Sequence, residues 1–312
     1  IDAWGSEFSL NWRDQVGKVN YNVGVNFGFS GNKVKKWPEL PVDLPAKNTV
    51  IAGRSTYMPE WGFNVWRGTS SGDGILRNQQ DIDNYWSYLT ENANGGQVKY
   101  LGSTNKSDLR PGMLAYKDLG GEMGDDGKQK GPDGQIEKEK DYAKLSKNNK
   151  TYGFTTKLGA EWKGLTFSMM ISTSWGGSRQ IDVASYNTSS NQNMVWAPDS
   201  FWKDMFDETS NPNGKYPNIG MENRLSGSVD APSDFWTIST FRCFIRNLSI
   251  GYTLPKRWLV PLKVDAARLS LTGNNLWDLY NPYPDKYRNM YDKTTTLYPT
   301  LRTWSLGVNV TF

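Results

Sequence analysis

The sequence predicts an all-β protein: an antiparallel transmembrane β-barrel with long loops at one end. Several segments alternate apolar and polar residues over roughly 9 to 12 positions, which is longer than most strands of soluble domains. The second face of these segments carries Gly, Asn, Ser and Thr rather than Lys and Glu, as a barrel lumen does. Very short turns alternate with long connections, and such inequality is typical of outer-membrane barrels.

The first hairpin gives the clearest alternation. In residues 18–29, KVNYNVGVNFGF, every odd position from Val19 to Phe29 is apolar. The preceding segment, residues 7–12, has the same period, and residues 13–17 form a short connection between the two. This pattern predicts two strands joined at one end of the sheet, each separating two environments.

Further alternating segments follow along the chain. A two-residue turn, Lys163-Gly164, joins one pair of them. The predicted strands are 152–162, 165–173, 247–254, 266–272 and 302–312. Aromatic residues stand near the strand ends, where the interface between lipid and water would lie.

Long connections separate these strands. They are predicted at 31–60, 77–110, 119–150, 178–235 and 273–299, with short helices at 78–89 and 198–206. A soluble domain rarely tolerates so many structureless loops, which favours the barrel. A soluble β-sandwich would also alternate, however, and the pattern alone leaves that alternative open.

The composition excludes several classes of function. The chain of 312 residues contains no His and a single Cys, so Ser-His-Asp and Cys-His catalysis, His ligation of metals and an internal disulfide are excluded. The net charge is +4 without a dense basic stripe, which argues against nucleic-acid binding. No motif positions a carboxylate pair for catalysis, so we do not expect an enzyme. Because the sequence begins with Ile1, we expect a mature, processed or incomplete chain.

Three strings near the end of the chain carry a resemblance to a known family. They are FIRNLSIGYTLPKRWL (244–259), ARLSLTGNNLWDLYNPYPD (267–285) and YPTLRTWSLGVNVTF (298–312), and RPGMLAYKD (110–118) precedes them in the same order. Together they resemble the SusC/RagA-type TonB-dependent outer-membrane transporters. The matching residues in the first two strings are Arg246, Asn247, Leu248, Gly251, Tyr252, Thr253, Leu254, Pro255, Arg268, Gly273, Asn275 and Leu276.

The resemblance implies that residues 1–312 are the C-terminal part of a barrel of about 22 strands. After the long loops are subtracted, the chain has room for at most about 12 strands. The N-terminal plug domain would then be absent from this chain. The implied partners are the N-terminal part of the same barrel, a SusD-like surface lipoprotein, TonB through the plug, and outer-membrane lipid.

The implied function is import of oligomeric nutrients across the outer membrane of a Gram-negative bacterium of the Bacteroidota type. Glycans are the first substrate class and oligopeptides, as in the RagA type, the second. A passive porin-like barrel and a surface β-rich glycan-binding module are alternatives. The first would lack a plug, and the second would be soluble without detergent.

The last strand carries a further implication. Its alternating apolar residues end in an aromatic residue at the end of the chain, which resembles the signal read by the barrel-assembly machinery. Closing the barrel would leave no unpaired strand edge in lipid. The predicted barrel-closing residues are Trp304, Leu306, Val308, Val310 and Phe312.

Aromatic residues in the predicted loops are candidates for ligand contact. An indole ring can cover the apolar face of a sugar while Asn, Asp and Arg bind its hydroxyls. Packing within the loops or at an interface is the competing interpretation. The candidates are Trp61, Trp66, Trp86, Trp196, Trp202, Tyr216 and Trp236.

An acidic, glycine-rich stretch at 117–141 is a candidate calcium loop, because carboxylates on flexible turns suit this cation. Many members of the family that this sequence resembles carry acidic residues here at the alternating spacing of a calcium loop. In this chain the spacing is lost, and a solvated external loop is the alternative. The candidate ligands are Asp118, Asp125, Asp126 and Asp133.

Overall fold

The computed structural model describes residues 1–37, 52–122, 124, 128–146, 148–181, 203–282 and 301–312. The strands, in chain order, are β1 (Asp2–Val16), β2 (Val19–Lys33), β3 (Trp61–Gly62), β4 (Lys99–Tyr100), β5 (Gln135–Ile136), β6 (Ala143–Lys144), β7 (Thr151–Trp162), β8 (Leu165–Gly176), β9 (Ser178–Gln180), β10 (Thr237–Ser239), β11 (Arg242–Thr253), β12 (Ala266–Tyr280) and β13 (Thr303–Thr311). The helices are α1 (Gln79–Ala93), α2 (Lys138–Asp141) and a short helix at Lys256–Leu259, with 3-10 turns at Lys106–Asp108 and Val260–Leu262.

Seven of these strands form one antiparallel sheet in the order β1-β2-β7-β8-β11-β12-β13. The short strands pair separately, β3 with β6, β9 with β10, and β4 with β5 in parallel. Within the described residues the seven-stranded sheet is open, with β1 and β13 at its edges. The prediction of an antiparallel all-β barrel wall is confirmed.

Two strands, β1 and β12, are longer than the sequence pattern indicated. The predicted connection at residues 13–17 is wrong, because β1 continues to Val16 and pairs in register with β2, leaving a turn at Gly17 and Lys18. The predicted loop at 273–299 begins too early, because β12 continues to Tyr280 along β11. In both places polar residues interrupt the alternation of apolar and polar positions, so the pattern did not indicate a strand. The backbone pairs there nevertheless, because its hydrogen bonds do not depend on side-chain polarity.

One face of the sheet is apolar and exposed. Register pairs the apolar residues of neighbouring strands across this face, one row being Tyr21, Ala160, Phe167, Ile250, Leu271 and Leu306. Leu306 is 78 % exposed, and many other large apolar side chains of the sheet are exposed as well. Water would not stabilise so large an apolar surface, whereas lipid would. This is the outer face.

The opposite, inner face is polar, and side chains of one strand pack over glycines of the next. A Cβ atom at Gly159 would lie 2.2 Å from Oδ1 of Asn22, and one at Gly24 would lie 2.7 Å from Oδ1 of Asn11. Each glycine therefore leaves room for an amide of the adjacent strand. Hydrogen bonds also join strands across this face, as where Asn247 Nδ2 donates to Asn274 Oδ1 at 2.8 Å.

An irregularity interrupts the pairing of β11 with β12 around Arg246 and Asn275. Asn275 has a φ of 52°, in the left-handed region, and the next residue, Leu276, is fully buried. A Cβ atom at Gly273 would lie 2.6 Å from Leu276 Cδ2, so only glycine leaves room for that side chain. The GNNL string of the sequence therefore encodes a β-bulge, a feature that redirects side chains locally.

The connections at the upper end of the sheet fold into a compact loop region. Segments between β2 and β7 and between β8 and β11 share one hydrophobic core, which includes Phe63, Ile75, Leu76, Ile82, Tyr85, Leu89, Tyr100, Tyr116, Phe206 and Trp236. The helix predicted at 78–89 is confirmed as α1, whose first turn is capped by the Asn78 side chain accepting from the backbone N–H of Asp81. Most of the helix predicted at 198–206 lies outside the described residues.

The short connections, by contrast, lie together at the lower end of the sheet. These are the turns after Val16 and Trp162 and the segment between β11 and β12, and the chain ends on the same side at Phe312. Among the described residues, none of the helices is both long and apolar enough to cross a membrane.

Candidate functional site

The inner face of the sheet forms a concave polar groove. Its central part encloses about 800 Å³ beside β1, β2, β7 and β8. Its lining includes the charged side chains of Arg13, Lys157 and Glu161 together with Asn22 and Ser168. These residues alternate with the apolar residues of the outer face, so the strand period itself directs them inward.

The groove continues to the bulge. A second concavity of about 600 Å³ is lined by Arg246, Asn274 and Asn275, and it shares Met170 and Asn247 with the first. Because the bulge lets both Arg246 and Asn247 line this concavity, a cation and three amides meet on one patch of wall. Bulges often re-aim side chains at functional sites in this way.

Several cations of this wall have no partner among the described residues. Within the described residues, Arg13, Lys157 and Arg246 make no ion pair and no side-chain hydrogen bond. Other inner cations are engaged: Arg268 donates to Thr166 Oγ1 at 2.8 Å, and Arg242 pairs with Asp278 at 3.0 Å. The wall can therefore offer charged donors and amides to hydroxyl, carboxylate or peptide groups of a ligand.

Where the structure describes them, the aromatic candidates are not among the residues that line this groove. Trp196 and Trp202 fall outside the described residues. Trp236 is 1 % exposed and its Nε1 donates to the carbonyl of Val229 at 2.9 Å, so it packs in the loop core. Tyr216 stacks on it with ring centroids 5.7 Å apart, and burial raises the pKa of Tyr216 to about 12.

The remaining aromatic candidates are half-buried on the loop region. Trp66 stacks on Tyr88 with centroids 5.2 Å apart, and both Trp66 and Trp86 pack against the hydrophobic core. Trp61 belongs to β3. These three rings keep part of their surface accessible, and their contact with a ligand stays a prediction.

In the described part of the acidic stretch, backbone N–H groups of the stretch itself bind the carboxylates. Asp118 is buried and accepts from the backbone N–H groups of Asp133 at 3.3 Å and Gly134 at 2.6 Å, and from Asn92 Nδ2 at 3.1 Å. Asp133 accepts from Lys140 Nζ at 3.2 Å. Oxygens engaged with N–H donors in this way do not fit calcium.

Two of the candidate calcium ligands, Asp125 and Asp126, lie outside the described residues. Among the residues that are described, no group of three His, Cys, Asp or Glu side chains is arranged to hold a metal ion. Calcium binding by this stretch stays a prediction that rests on Asp125 and Asp126.

Asp141 and Asp118 together form a reciprocal clamp that the sequence did not predict. The Asp141 carboxylate accepts from the backbone N–H groups of Leu119 at 2.8 Å, Gly120 at 3.3 Å and Glu137 at 2.7 Å. Asp118, at the start of the stretch, holds residues near the end, and Asp141, at the end, holds residues near the start. No sequence signal distinguishes Asp141 from the other acidic residues around it.

The clamp predicts a pH dependence. Burial raises the pKa of Asp141 from 3.8 to about 7, so between these values the folded loop binds more protons than the unfolded chain. The stability of the loop should therefore fall as the pH rises from about 4 to about 7. Hydrogen exchange of residues 118–141, corrected for intrinsic rates, should show protection that decreases over this range. In Asp141→Asn, the protection of these residues should change little with pH. Protection that increases toward pH 7 in the native protein would contradict the raised pKa of Asp141.

An antiparallel sheet with an exposed apolar outer face and a polar, grooved inner face has the architecture of a transmembrane β-barrel wall. No family model matches the chain. A curated relative, the TonB-dependent receptor P3 of Formosa agariphila, is 24 % identical over 335 residues; the match covers 100 % of this chain and 29 % of the relative.

Solved structures with the same fold include the RagAB peptide transporter, with a TM-score of 0.56, 15 % identity, and coverage of 99 % of this chain and 29 % of that chain. The RagAB peptide importer in its closed-closed state gives a TM-score of 0.54, 16 % identity and the same coverage. The predicted resemblance to the SusC/RagA-type TonB-dependent transporters is confirmed, and the fold is that of an outer-membrane β-barrel. The relatives are named as receptors and transporters, in agreement with the expectation that the chain is not an enzyme.

Proposed function

We propose that this chain forms part of the barrel wall of a TonB-dependent importer that carries oligomeric nutrients across the outer membrane. The observation that carries the proposal is the sheet itself, apolar and exposed on one face, polar and grooved on the other. Since the chain spans 29 % of the relatives it matches, the activity belongs to a larger assembly.

Within that assembly, the free edges of β1 and β13 would pair with the remaining strands of the same barrel. Unpaired edges are not tolerated in lipid, because each open N–H and C=O group costs several kcal/mol. β13 would then be the closing strand, with Trp304, Leu306, Val308 and Val310 on the lipid side. The plug and its contact with TonB would come from outside residues 1–312.

The loop region would supply part of the seat for a surface lipoprotein that covers the barrel. It lies at the end of the sheet opposite the short turns, and its core makes it a defined surface. The accessible edges of Trp61, Trp66 and Trp86 are the aromatic contacts it could offer to a lid or ligand.

A glycan oligomer is the first substrate class to test, because hydroxyl groups suit a wall of amides and serine and threonine hydroxyls. An oligopeptide is the second candidate. The likeness in fold to peptide transporters favours it. So do the groove cations that make no ion pair within the described part of the chain, since such cations suit carboxylates.

The direct test is analysis of the ligand that remains bound when the native complex is extracted in mild detergent. Released material would be examined by mass spectrometry for sugars and for peptides. Recovery of an oligomer of either class supports import and selects the substrate. A complex that passes small solutes freely and lacks a plug would support a passive porin instead.

Arg246 provides a specific prediction for the groove. Arg246→Ala should weaken binding of that oligomer about 10-fold to 100-fold, since a hydrogen bond to a charged group contributes about 1.5–3 kcal/mol. Calorimetric titration of the detergent-solubilised complex measures this change. Arg257→Ala, which removes the same side chain from the lower end of the sheet, is the matched control and should leave affinity unchanged. Equal affinity of Arg246→Ala and the native protein would remove Arg246 from the ligand path.

A further inference from the structure

The segment between β11 and β12 exposes an unusual amount of apolar surface for a turn. It consists of the short helix Lys256–Leu259 and the 3-10 turn Val260–Leu262. Trp258 is 52 % exposed, Val260 70 % and Leu262 69 %, whereas Leu259 is 3 % exposed and anchors the segment. A turn surrounded by water alone would not favour three such side chains.

The segment lies beside the lower end of β12. The backbone N–H of Leu254 donates to the carbonyl of Ala267, and the helix packs next to β12. Ala267 belongs to an outward row, opposite Val310 of β13, yet it is buried while Leu269 two residues on is exposed. The turn therefore covers the lower rim of the outer face.

Neighbouring strands do not account for this exposure. β11 and β12 are paired on both sides, β11 with β8 and β12 with β13. Completing the sheet at its edges would therefore add no strand beside this turn. Next along β12 after Ala267 on this face, the exposed Leu269 lies opposite the exposed Val308 of β13, so the apolar outer face begins beside the turn.

Positive charge accompanies the apolar residues. Residues 254–265 contain Lys256, Arg257 and Lys263 against one acidic residue, Asp265. Within the described residues none of the three basic side chains makes an ion pair, and Arg257 lies over the Trp258 ring at 5.8 Å. Tryptophan beside basic residues is the composition that favours the headgroup layer of a membrane.

We propose that this turn is a binding site for anionic phospholipid in the periplasmic leaflet, with Trp258, Val260 and Leu262 among the upper acyl chains and the three cations on the phosphates. The inference rests on the proposed function, because it requires the sheet to span the outer membrane. A lipid, rather than a protein, is chosen because the patch lies beside the lipid-facing surface and its charge complements anionic headgroups.

The test uses the full-length transporter in nanodiscs of phosphatidylcholine with and without phosphatidylglycerol. Native mass spectrometry would count the lipids of each kind that remain bound after release. The native protein should retain phosphatidylglycerol in preference to phosphatidylcholine. The triple variant Lys256→Gln, Arg257→Gln and Lys263→Gln should lose that preference at least about tenfold, given the attraction of each basic residue to an anionic surface.

The matched control neutralises three lysines of the loop region, Lys117→Gln, Lys138→Gln and Lys215→Gln, and should keep the preference. Quenching by lipids brominated near the headgroup should be weaker in Trp258→Phe than in the native protein. A protein that inserts normally but shows no phosphatidylglycerol preference, or equal quenching, overturns the lipid site alone. A protein that stays soluble and does not enter nanodiscs overturns the proposed function itself.

Discussion

Val23→Arg is expected to prevent stable assembly of the sheet in a membrane. Val23 lies on the outer face, in register with Trp12 of β1 and Leu158 of β7, near the middle of the alternating part of β2. An arginine at the bilayer midplane of a barrel costs about 2–4 kcal/mol. The amount of heat-modifiable, folded barrel in outer-membrane fractions should therefore fall sharply.

The control for this variant lies three residues away on the same strand. Asn20→Arg adds the same side chain to the inner face, where it would lie near Glu161, its partner in β7. Folded protein should remain near the native level in this variant. If Val23→Arg assembled as well as Asn20→Arg, the outer face would not be the lipid-facing surface.

Trp236→Ala is expected to unfold the loop region while leaving the sheet intact. The side chain is buried, stacks on Tyr216 and meets the edge of Phe235 with centroids 4.8 Å apart. Truncation of a large buried aromatic costs about 3–5 kcal/mol. Hydrogen exchange should become faster throughout α1 and the core segments, whereas the strands of the seven-stranded sheet keep their protection.

Trp236→Phe separates packing from ligand contact at this position. It retains most of the buried ring and loses the hydrogen bond to Val229, so its effect on exchange should be much smaller. If Trp236 were instead a ligand platform, both variants would lose binding without a change in exchange. Native exchange rates in Trp236→Ala would contradict the packing role.

The sequence predicted the outer face of the sheet well. Strict alternation in β2, β7 and β13 requires only that two environments lie on either side of a strand, and that information is local. The positions of Val23, Leu158 and Leu306 follow from it directly. The inward position of Lys157 follows from the same period, whereas Arg13 fell in the predicted connection at 13–17 and its place on the inner face emerges only from the pairing of β1 with β2.

The loop region could not be predicted in this way. Its core joins residues far apart in the chain, such as Phe63 and Trp236, and no periodicity links them. Trp236 stands among polar residues in the sequence and was therefore predicted to contact a ligand from a loop. In the structure it is a buried core residue. The clamp formed by Asp118 and Asp141 was hidden for the same reason, because the role of a carboxylate depends on which N–H groups the fold brings to it.

The bulge is an intermediate case. The GNNL string belongs to the family pattern that the sequence resembles, but the pattern by itself gives no physical reason for these residues. The structure supplies that reason in the left-handed conformation of Asn275, the burial of Leu276 and the space above Gly273. The consequence for Arg246, a cation directed into the groove, emerges only when β11 and β12 are paired.

The central claim is that this chain is part of the wall of an outer-membrane TonB-dependent importer. Native mass spectrometry of the complex extracted from membranes in detergent, with each polypeptide identified, tests it most directly. We expect this sequence within a barrel that also contains a plug, together with a bound surface lipoprotein. Recovery of residues 1–312 as a monodisperse species in buffer without detergent, with neither plug nor lipoprotein, would contradict the claim.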